Sequence, residues 1–150
     1  MEGLNGLEVY REAQELAKKV YCKVLPCLPP EEKWGLASQL RRAAASVPAN
    51  IAEGYGRYYF QEAIRYCYLA RGSLMELSSH LDLANDQDYL SDVPKSLVDE
   101  KMAVILKLIH GYFIYLKQSK RGWNEPGPHS IFESFTIYTD NEEFGNEDSE

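Results

Sequence analysis

Apolar residues recur at three- and four-residue spacing in four stretches of the chain, a pattern typical of amphipathic helices. The first stretch covers residues 4–25. The second runs from about Pro30 to Gly54 or Arg57. Within it Pro48 predicts a kink, because proline lacks the backbone N–H of a regular helical residue and its ring crowds the preceding turn.

Two more helices are predicted in the second half of the chain. The third begins after the break at Gly54–Gly56, which is interpreted as a turn, and ends at the polar cluster Asn85–Asp88. Ser91 or Asp92 is suited to cap a fourth helix that runs to about Lys117. Four such helices predict an all-α fold, a four-helix bundle.

The fourth helix is apolar around nearly its whole circumference. Between Met102 and Leu116 only Lys107, His110 and Gly111 interrupt the apolar run. That run is too short and too polar to cross a bilayer, so no membrane contact is expected. A helix that is apolar on every side buries more than one face, and we therefore expect a homo-oligomer.

Charge divides the chain of 150 residues into two parts. The net charge is −7, yet all 16 basic residues and 15 of the 23 acidic residues lie at or before Arg121. We therefore expect a near-neutral bundle domain over residues 1–121 and an irregular acidic tail over residues 122–150. The tail is interpreted as a flexible, solubilising end. Alternatively, its β-branched and aromatic segment 130–138 docks on a protein partner or regulates the bundle.

The cysteines and the N-terminus suggest a reducing, cytoplasmic location. Cys22, Cys27 and Cys67 form neither a zinc-ligand pattern nor an even set, so they are interpreted as reduced and mostly buried thiols. The first residues lack the basic and then apolar run of a signal peptide.

No pattern in the chain indicates catalysis, a metal or a cofactor. A di-iron bundle requires Glu-x-x-His pairs, and neither His80 nor His110 has a glutamate three residues before it. Phosphate-binding loops and nucleophile elbows are absent from the sequence as well. The chain is therefore expected not to be an enzyme, and no catalytic, cofactor-binding or metal-binding residue is assigned.

A polar stripe accompanies the apolar face of the second helix. Its members recur at steps of three and four positions and are Gln39, Arg42, Ser46, Asn50 and Glu53. We interpret them as a hydrogen-bonded ladder at a helix or subunit interface, with Glu53 compensating Arg42 or Arg57.

Aromatic and arginine residues alternate around the second predicted turn, which suggests a nucleic-acid-binding surface. Aromatic rings stack on bases without regard to sequence, and guanidinium groups contact the phosphate backbone. The candidate residues are Arg41, Arg42, Tyr55, Arg57, Tyr58, Tyr59, Arg65 and Arg71. An alternative is that the tyrosines pack between subunits, where aromatic residues and arginine are also enriched.

Three blocks of the sequence resemble a known bacterial family. They are residues 7–13 (LEVYREA), residues 34–57 (WGLASQLRRAAASVPANIAEGYGR) and residues 70–77 (ARGSLMEL). The family includes the protein encoded in intervening sequences of 23S ribosomal RNA and the accessory variability determinant of diversity-generating retroelements. The resemblance spans roughly residues 4–120, and its central block is specific.

The resemblance implies an up-and-down, antiparallel and left-handed four-helix bundle that assembles into a barrel-like homopentamer without known enzymatic activity. It also implies binding of RNA or DNA as an accessory protein, since the retroelement members are basic and associate with a reverse transcriptase. Here the bundle is near-neutral, and Tyr58-Tyr59-Phe60 replaces the polar start of the third helix that is usual in the family. The alternative function is a protein scaffold or adaptor that uses the tail and binds no nucleic acid.

Overall fold

Four α-helices account for most of the described chain, which comprises residues 3–91, 93 and 95–119 of a computed structural model. The helices are α1 (Glu8–Lys19), α2 (Leu36–Gly56), α3 (Phe60–Asp86) and α4 (Lys95–Ser119). Within the described residues there is no β-strand. The predicted all-α fold is therefore confirmed, whereas the proposed tail at residues 122–150, with its segment 130–138, lies outside the described residues.

The helices pack in chain order around one apolar core. Each helix contacts the next, and α4 returns to contact α1. The largest fully buried aliphatic side chains come from all four helices and include Leu16, Leu40, Leu74 and Ile105. Each fully buried leucine or isoleucine contributes about 1.5–3 kcal/mol relative to an exposed one, so this shared core is the main stabilising element of the bundle.

The second helix starts later than its apolar pattern predicts. Pro30–Lys33 form a 3₁₀ turn, and α2 begins only at Leu36. The preceding Gly35 has φ −95° and ψ −118°, which is outside the helical region. The Glu32 carboxylate accepts a hydrogen bond of 2.8 Å from the Leu36 amide. The predicted start at about Pro30 is therefore wrong, because a side-chain cap and Gly35 separate the turn from the helix.

The turn predicted at Gly54–Gly56 is also misplaced. These residues belong to the last turn of α2, which continues through Pro48, and the connection to α3 is Arg57–Tyr59. Gly54 is required for helix packing and not for a turn. A Cβ on Gly54 would lie 2.8 Å from the Cβ of Tyr66, closer than two carbons approach. Gly54 therefore allows the backbones of α2 and α3 to come together.

The connection between α3 and α4 begins with a Schellman motif. The Tyr89 amide donates to the Ala84 carbonyl at 3.1 Å, and the Asp88 amide donates to the Asn85 carbonyl at 2.9 Å. Asp88 has φ 59°, the left-handed conformation that this motif requires. The hydroxyl of Ser91 donates to the Asp88 carbonyl at 2.8 Å, so it stabilises the loop and does not act as the predicted cap of α4. The other candidate cap, residue 92, lies outside the described residues.

Two lysines of α4 link it to its neighbours. Lys101 pairs with Glu12 and, at 2.7 Å, with Glu15 of α1. Burial opposes the charged form of Lys101, but hydrogen bonds and the charges of both glutamates outweigh it, and the lysine pKa is raised. Lys95 makes the equivalent contact with Asp82 of α3 at 2.7 Å. These pairs fix α4 between α1 and α3.

Surface features of the described chain qualify two further predictions. Only Cys67 is buried, whereas Cys27 is partly buried and Cys22 is exposed, so the thiols are not mostly buried. None of the described helices combines the length and the apolar character needed to cross a bilayer. On α4, Val104, Ile114 and Tyr115 of the predicted apolar run are exposed. The excess apolar surface predicted for this helix is therefore present.

Replacing Gly54 by alanine is expected to destabilise the protein by about 2 kcal/mol, because the added Cβ forces α2 and α3 apart. Gly72→Ala is the matched control. Gly72 is also helical, but nothing lies within 4 Å of an added Cβ, so alanine should stabilise by up to about 1 kcal/mol through its helix propensity. Urea unfolding followed by circular dichroism measures both changes. Equal effects of the two substitutions would contradict the packing role of Gly54.

Lys101→Met is expected to lower stability by about 1 kcal/mol at neutral pH, because Glu12 and Glu15 lose their partner. The hydrogen bond from Lys101 lowers the pKa of Glu15, so its contribution is lost as pH falls below the ordinary value of 4.5. The raised pKa of Lys101 means that its contribution is lost as pH rises above the ordinary value of 10.5. In unfolding curves from pH 3 to 11, the difference between the two proteins should therefore be largest near neutral pH and should begin to shrink toward both extremes.

Candidate nucleic-acid interface

Aromatic residues are concentrated at one end of the bundle, where α1 begins, α2 connects to α3, and α4 reaches its last described turn. This end is called the aromatic end and contains Tyr10, Tyr55, Tyr58, Tyr59, Phe60, Tyr66, Tyr68, Tyr112, Phe113 and Tyr115. Elsewhere in the described chain the aromatic residues are Tyr21, Trp34 and Tyr89. The antiparallel packing of the helices brings these rings together from distant parts of the sequence.

The connection between α2 and α3 presents the most exposed rings that the sequence singled out. Tyr58 is 57% exposed, and its ring meets that of Tyr59 edge to face with 5.4 Å between centroids. Tyr55 is 38% exposed. Its hydroxyl packs against Gly3, since a Cβ added to Gly3 would lie 3.1 Å from the Tyr55 hydroxyl oxygen. The rings are thus held by neighbouring groups while their surfaces remain partly open to solvent.

Arg57 is fixed between the two helices by α2 and α3 side chains. Its guanidinium pairs with Glu53 and donates to the hydroxyl of Tyr66 at 2.9 Å. It also lies 5.1 Å from the centroid of the Tyr66 ring. The hydrogen bond to Glu53 is the main cause of the raised pKa of Arg57. Of the two partners predicted for Glu53, the structure selects Arg57, and a phosphate at this position would compete with a carboxylate.

The remaining candidate arginines do not form one cluster. Arg65 is exposed one turn into α3 and so belongs to the aromatic end, while Arg71 is exposed further along the same helix. Arg41 and Arg42 lie in the second turn of α2, about 22 Å along the helix from Arg57. The structure therefore places Arg57 and Arg65 near the connection between α2 and α3, Arg71 close enough to Tyr68 for its charge to act on that hydroxyl, and Arg41 and Arg42 far along α2.

The middle of the predicted polar stripe forms a compact hydrogen-bond network between α2 and α3. The hydroxyls of Ser46 and Ser73 are 2.8 Å apart. The Asn50 amide donates to the Ser46 hydroxyl at 3.0 Å and to its carbonyl at 2.9 Å, and Ser73 in turn donates to the Leu69 carbonyl at 3.1 Å. Gln39 and Arg42, at the N-terminal end of the stripe, are exposed and lie outside this network.

Several contributing residues were not identified from the sequence. Ser73 completes the network from the opposite helix, and its signal is that a polar residue occupies a buried position between Ala70 and Leu77 of α3. Phe113 of α4 was treated only as part of an apolar run. It meets the Tyr68 ring edge to face at 5.6 Å, and the Lys117 ammonium lies 5.2 Å from its centroid. Only the antiparallel packing of α3 and α4 brings these groups together.

The environments of Cys67 and of the potential metal ligands determine which chemistry these residues of the described chain can support. Burial raises the pKa of Cys67 to about 12, so this thiol is not a nucleophile at neutral pH. No cluster of three or more potential metal ligands from His, Cys, Asp and Glu occurs among the described residues. His80 lies near a single carboxylate, with 3.5 Å between its Nε2 and Glu76.

Comparison with known proteins identifies a family. The sequence profile of the family described as 23S rRNA-intervening sequence protein matches residues 5–111. That match covers most of the chain and includes α1, α2, α3 and more than half of α4. No curated protein sequence matches the chain. The match confirms the family suggested by the three sequence blocks, while the relation to retroelement proteins stays a prediction.

The hydroxyls of Ser46 and Ser73 are expected to be energetically coupled. Ser46→Ala and Ser73→Ala should each cost about 1 kcal/mol, because each leaves a half-buried partner with one hydrogen bond fewer. The double variant should cost less than the sum, since both partners are then removed together. Urea unfolding of the four proteins measures this coupling. Strict additivity would show that the serines are merely adjacent.

Proposed function

Since the chain belongs to the 23S rRNA-intervening sequence protein family over residues 5–111, we propose that it is a non-catalytic accessory protein that binds nucleic acid at its aromatic end. The proposal includes self-association into a homo-oligomer, for which the resemblance suggests five copies. The family description refers to ribosomal RNA, so single-stranded RNA is the first ligand to test.

The observation that carries this proposal is the combination of exposed rings and arginines around the connection between α2 and α3. Tyr55 and Tyr58 are partly open to solvent, and Arg65 is exposed on the adjacent turn of α3. Stacking of an unpaired base on such a ring contributes about 1–3 kcal/mol and requires no particular base. The aromatic end therefore has the chemistry of a surface for unpaired nucleotides.

Charge limits the strength expected of this interaction. Of the candidate arginines, Arg57 and Arg65 lie nearest the connection between α2 and α3, and Arg57 is already paired with Glu53. For each phosphate that is neutralised on a single strand, a tenfold rise in salt concentration lowers the affinity by about 0.7 logarithmic units. One copy neutralises few phosphates, so measurable affinity requires several copies acting together. Self-association is the part of the proposal that supplies them.

Binding is tested by fluorescence anisotropy with a labelled single-stranded RNA of about 20 nucleotides, in 50 to 300 mM salt. Tyr58→Ala should weaken binding about tenfold by removing one stacking surface. Arg65→Glu should weaken it at low salt and make the salt dependence shallower, since phosphate contacts are lost.

Lys18→Glu is the matched control for the charge reversal. Lys18 is exposed near the end of α1, more than two helical turns from the aromatic end, and its replacement changes the net charge by the same amount. This variant should bind almost as the parent does. Equal losses in the Lys18→Glu and Arg65→Glu variants would indicate a nonspecific charge effect. Absence of RNA binding at 50 mM salt would refute the nucleic-acid function.

Deleting residues 122–150 separates the alternative scaffold function from RNA binding. If the acidic tail competes with RNA for the bundle, the truncated protein should bind RNA more tightly. If segment 130–138 instead holds a protein partner, truncation should abolish that association and leave RNA affinity unchanged. The second outcome together with no RNA binding by the full chain would favour the scaffold.

A further inference from the structure

The surface where α3 meets α4 has an aromatic and apolar floor near the aromatic end of the bundle. The rings of Tyr68 and Phe113 meet edge to face at 5.6 Å, and the His110 ring stacks on Phe113 with 6.4 Å between centroids. Met75 is 45% exposed and lies seven positions from both Tyr68 and Asp82, which contact α4, so it is on the same side of α3. The α3–α4 floor consists of Tyr68, Met75, His110 and Phe113, all exposed or partly buried.

Four cations surround the α3–α4 floor, and they are Arg65, Arg71, Lys107 and Lys117. The ammonium of Lys117 lies 5.2 Å from the centroid of Phe113. The charge of Arg71 acts on the hydroxyl of Tyr68, and Arg65 lies three positions before Tyr68 on the same helix. Lys107 lies three positions before His110 on α4. Within the part of the chain that the structure describes, none of the four forms an ion pair.

Neighbouring carboxylates do not offset these four cations. The nearest acidic residues along α3 are Glu62 and Glu76, which share the side of the helix that carries Ser73 and faces α2. The nearest along α4 is Glu100, about 10 Å from Lys107 along the helix, which exceeds the Debye length of about 8 Å at physiological salt. The floor and the four cations, together called the α3–α4 surface, are therefore partly apolar and positively charged.

Residues 122–150 have a composition that complements this surface. They carry eight acidic residues and no lysine or arginine. Residues 131–144 read IFESFTIYTDNEEF, so aromatic and β-branched side chains are interspersed with carboxylates. These positions lie beyond the family match, which ends at residue 111. A segment that combines rings with negative charge matches a surface that combines an apolar floor with positive charge.

The length of chain after α4 allows this segment to reach the α3–α4 surface. The last described residue of α4 is Ser119, two positions after Lys117. Twelve positions separate Ser119 from Ile131, and an extended chain spans up to about 3.3 Å per residue, which gives a reach of about 40 Å. The surface extends only about 15 Å along α4, from Lys117 to Lys107. Glycine and proline at positions 122 and 126–128 are typical of a turn, so the sequence permits a return along α4.

We propose that residues 131–144 dock on the α3–α4 surface of their own chain. Their aromatic rings contact the α3–α4 floor, and their carboxylates pair with the surrounding cations. Attachment to the same chain raises the local concentration of the segment to about the millimolar range, so contacts too weak to hold separate molecules together suffice. The contact requires no RNA, so the inference goes beyond the proposed function. It also brings an acidic segment beside Arg65, where the segment competes with phosphates for that guanidinium.

Docking is tested by disulfide trapping in the full-length protein without RNA. In a background with Cys22→Ser and Cys27→Ser, Ser134→Cys is combined with Ala103→Cys, an exposed position one turn before Lys107 on α4. The matched control combines Ser134→Cys with Ala45→Cys, which is also exposed but lies on α2, at the diagonal corner of the bundle. With oxidised glutathione, the disulfide within one chain should form at least about fivefold faster with Ala103→Cys. Equal rates at the two positions would overturn the proposed docking.

Charge and ring substitutions test which side chains hold the segment. Lys107→Glu should slow disulfide formation at Ala103→Cys about threefold, the effect expected for the loss of exposed ion pairs. Lys18→Glu changes the net charge equally at an exposed position of α1 and should leave the rate unchanged. Phe135→Ser should slow the reaction about fivefold, because less apolar area contacts the floor. Equal slowing by Lys107→Glu and Lys18→Glu would show a nonspecific charge effect and would remove the α3–α4 surface as the site.

Mixing singly substituted proteins separates docking within one chain from docking on another molecule. Ala103→Cys protein and Ser134→Cys protein, at about 5 μM each, should form a covalent dimer far more slowly than the doubly substituted chain forms its internal disulfide. Comparable rates would assign the surface to the segment of another copy and would overturn docking within one chain. These measurements contain no RNA, so trapped docking in a protein that shows no anisotropy change would support this inference and refute the nucleic-acid function.

Discussion

The close approach of α2 and α3 is the constraint on which the rest of the structure depends. At one end it requires Gly54, whose missing side chain makes room for Tyr66, and in the middle it is held by the Ser46–Ser73 network. This pairing sets the position of α3 along the bundle axis. Through the contact between Lys95 and Asp82, α3 in turn sets the axial position of α4. The grouping of rings at the aromatic end follows from that chain of contacts. Polar groups at a partly buried interface cost free energy when unpaired, so the network favours one register over its neighbours.

Much of the fold could be predicted from the sequence because helical periodicity reports directly which positions are buried. Four helices, their order and the apolar faces follow from spacing alone. The errors arose where one residue serves a purpose that local patterns do not reveal. Gly54 resembles a turn residue, yet it is a packing residue that lies in α2, and only the position of Tyr66 explains it. Glu32 resembles a first-turn residue of a helix, yet its carboxylate caps a helix that begins at Leu36. Such roles depend on contacts with residues distant in sequence, and a short stretch of sequence does not reveal those contacts.

The candidate site was predicted less completely than the fold, for a related reason. The residues around the connection between α2 and α3 are near one another in sequence, so Tyr55, Arg57 and Tyr58 were identified together and lie together. Arg41 and Arg42 belong to the same sequence block, but the rise of α2 carries them to a different part of the surface. The contribution of Phe113 and Lys117 could not be predicted, since α4 meets α3 only in the folded bundle. Arg57 illustrates a further limit, because the sequence offers both Arg42 and Arg57 as partners of Glu53, and only the folded chain shows that Arg57 is the one paired.

The irregular end of the first helix shows how winding adapts to composition. The buried positions after Ala13 are Leu16, Val20 and Val24, so the last two steps are both of four residues. In regular α-helical geometry, successive steps of four rotate side chains progressively away from the face they started on. Val20–Val24 is instead a π-helical turn, whose wider winding keeps both valines in the core. Deleting one residue between these two valines would therefore return the turn to regular α-helical winding without reversing the buried face. The π-helical turn is accordingly what allows two valines four residues apart to stay in the core beyond the end of α1.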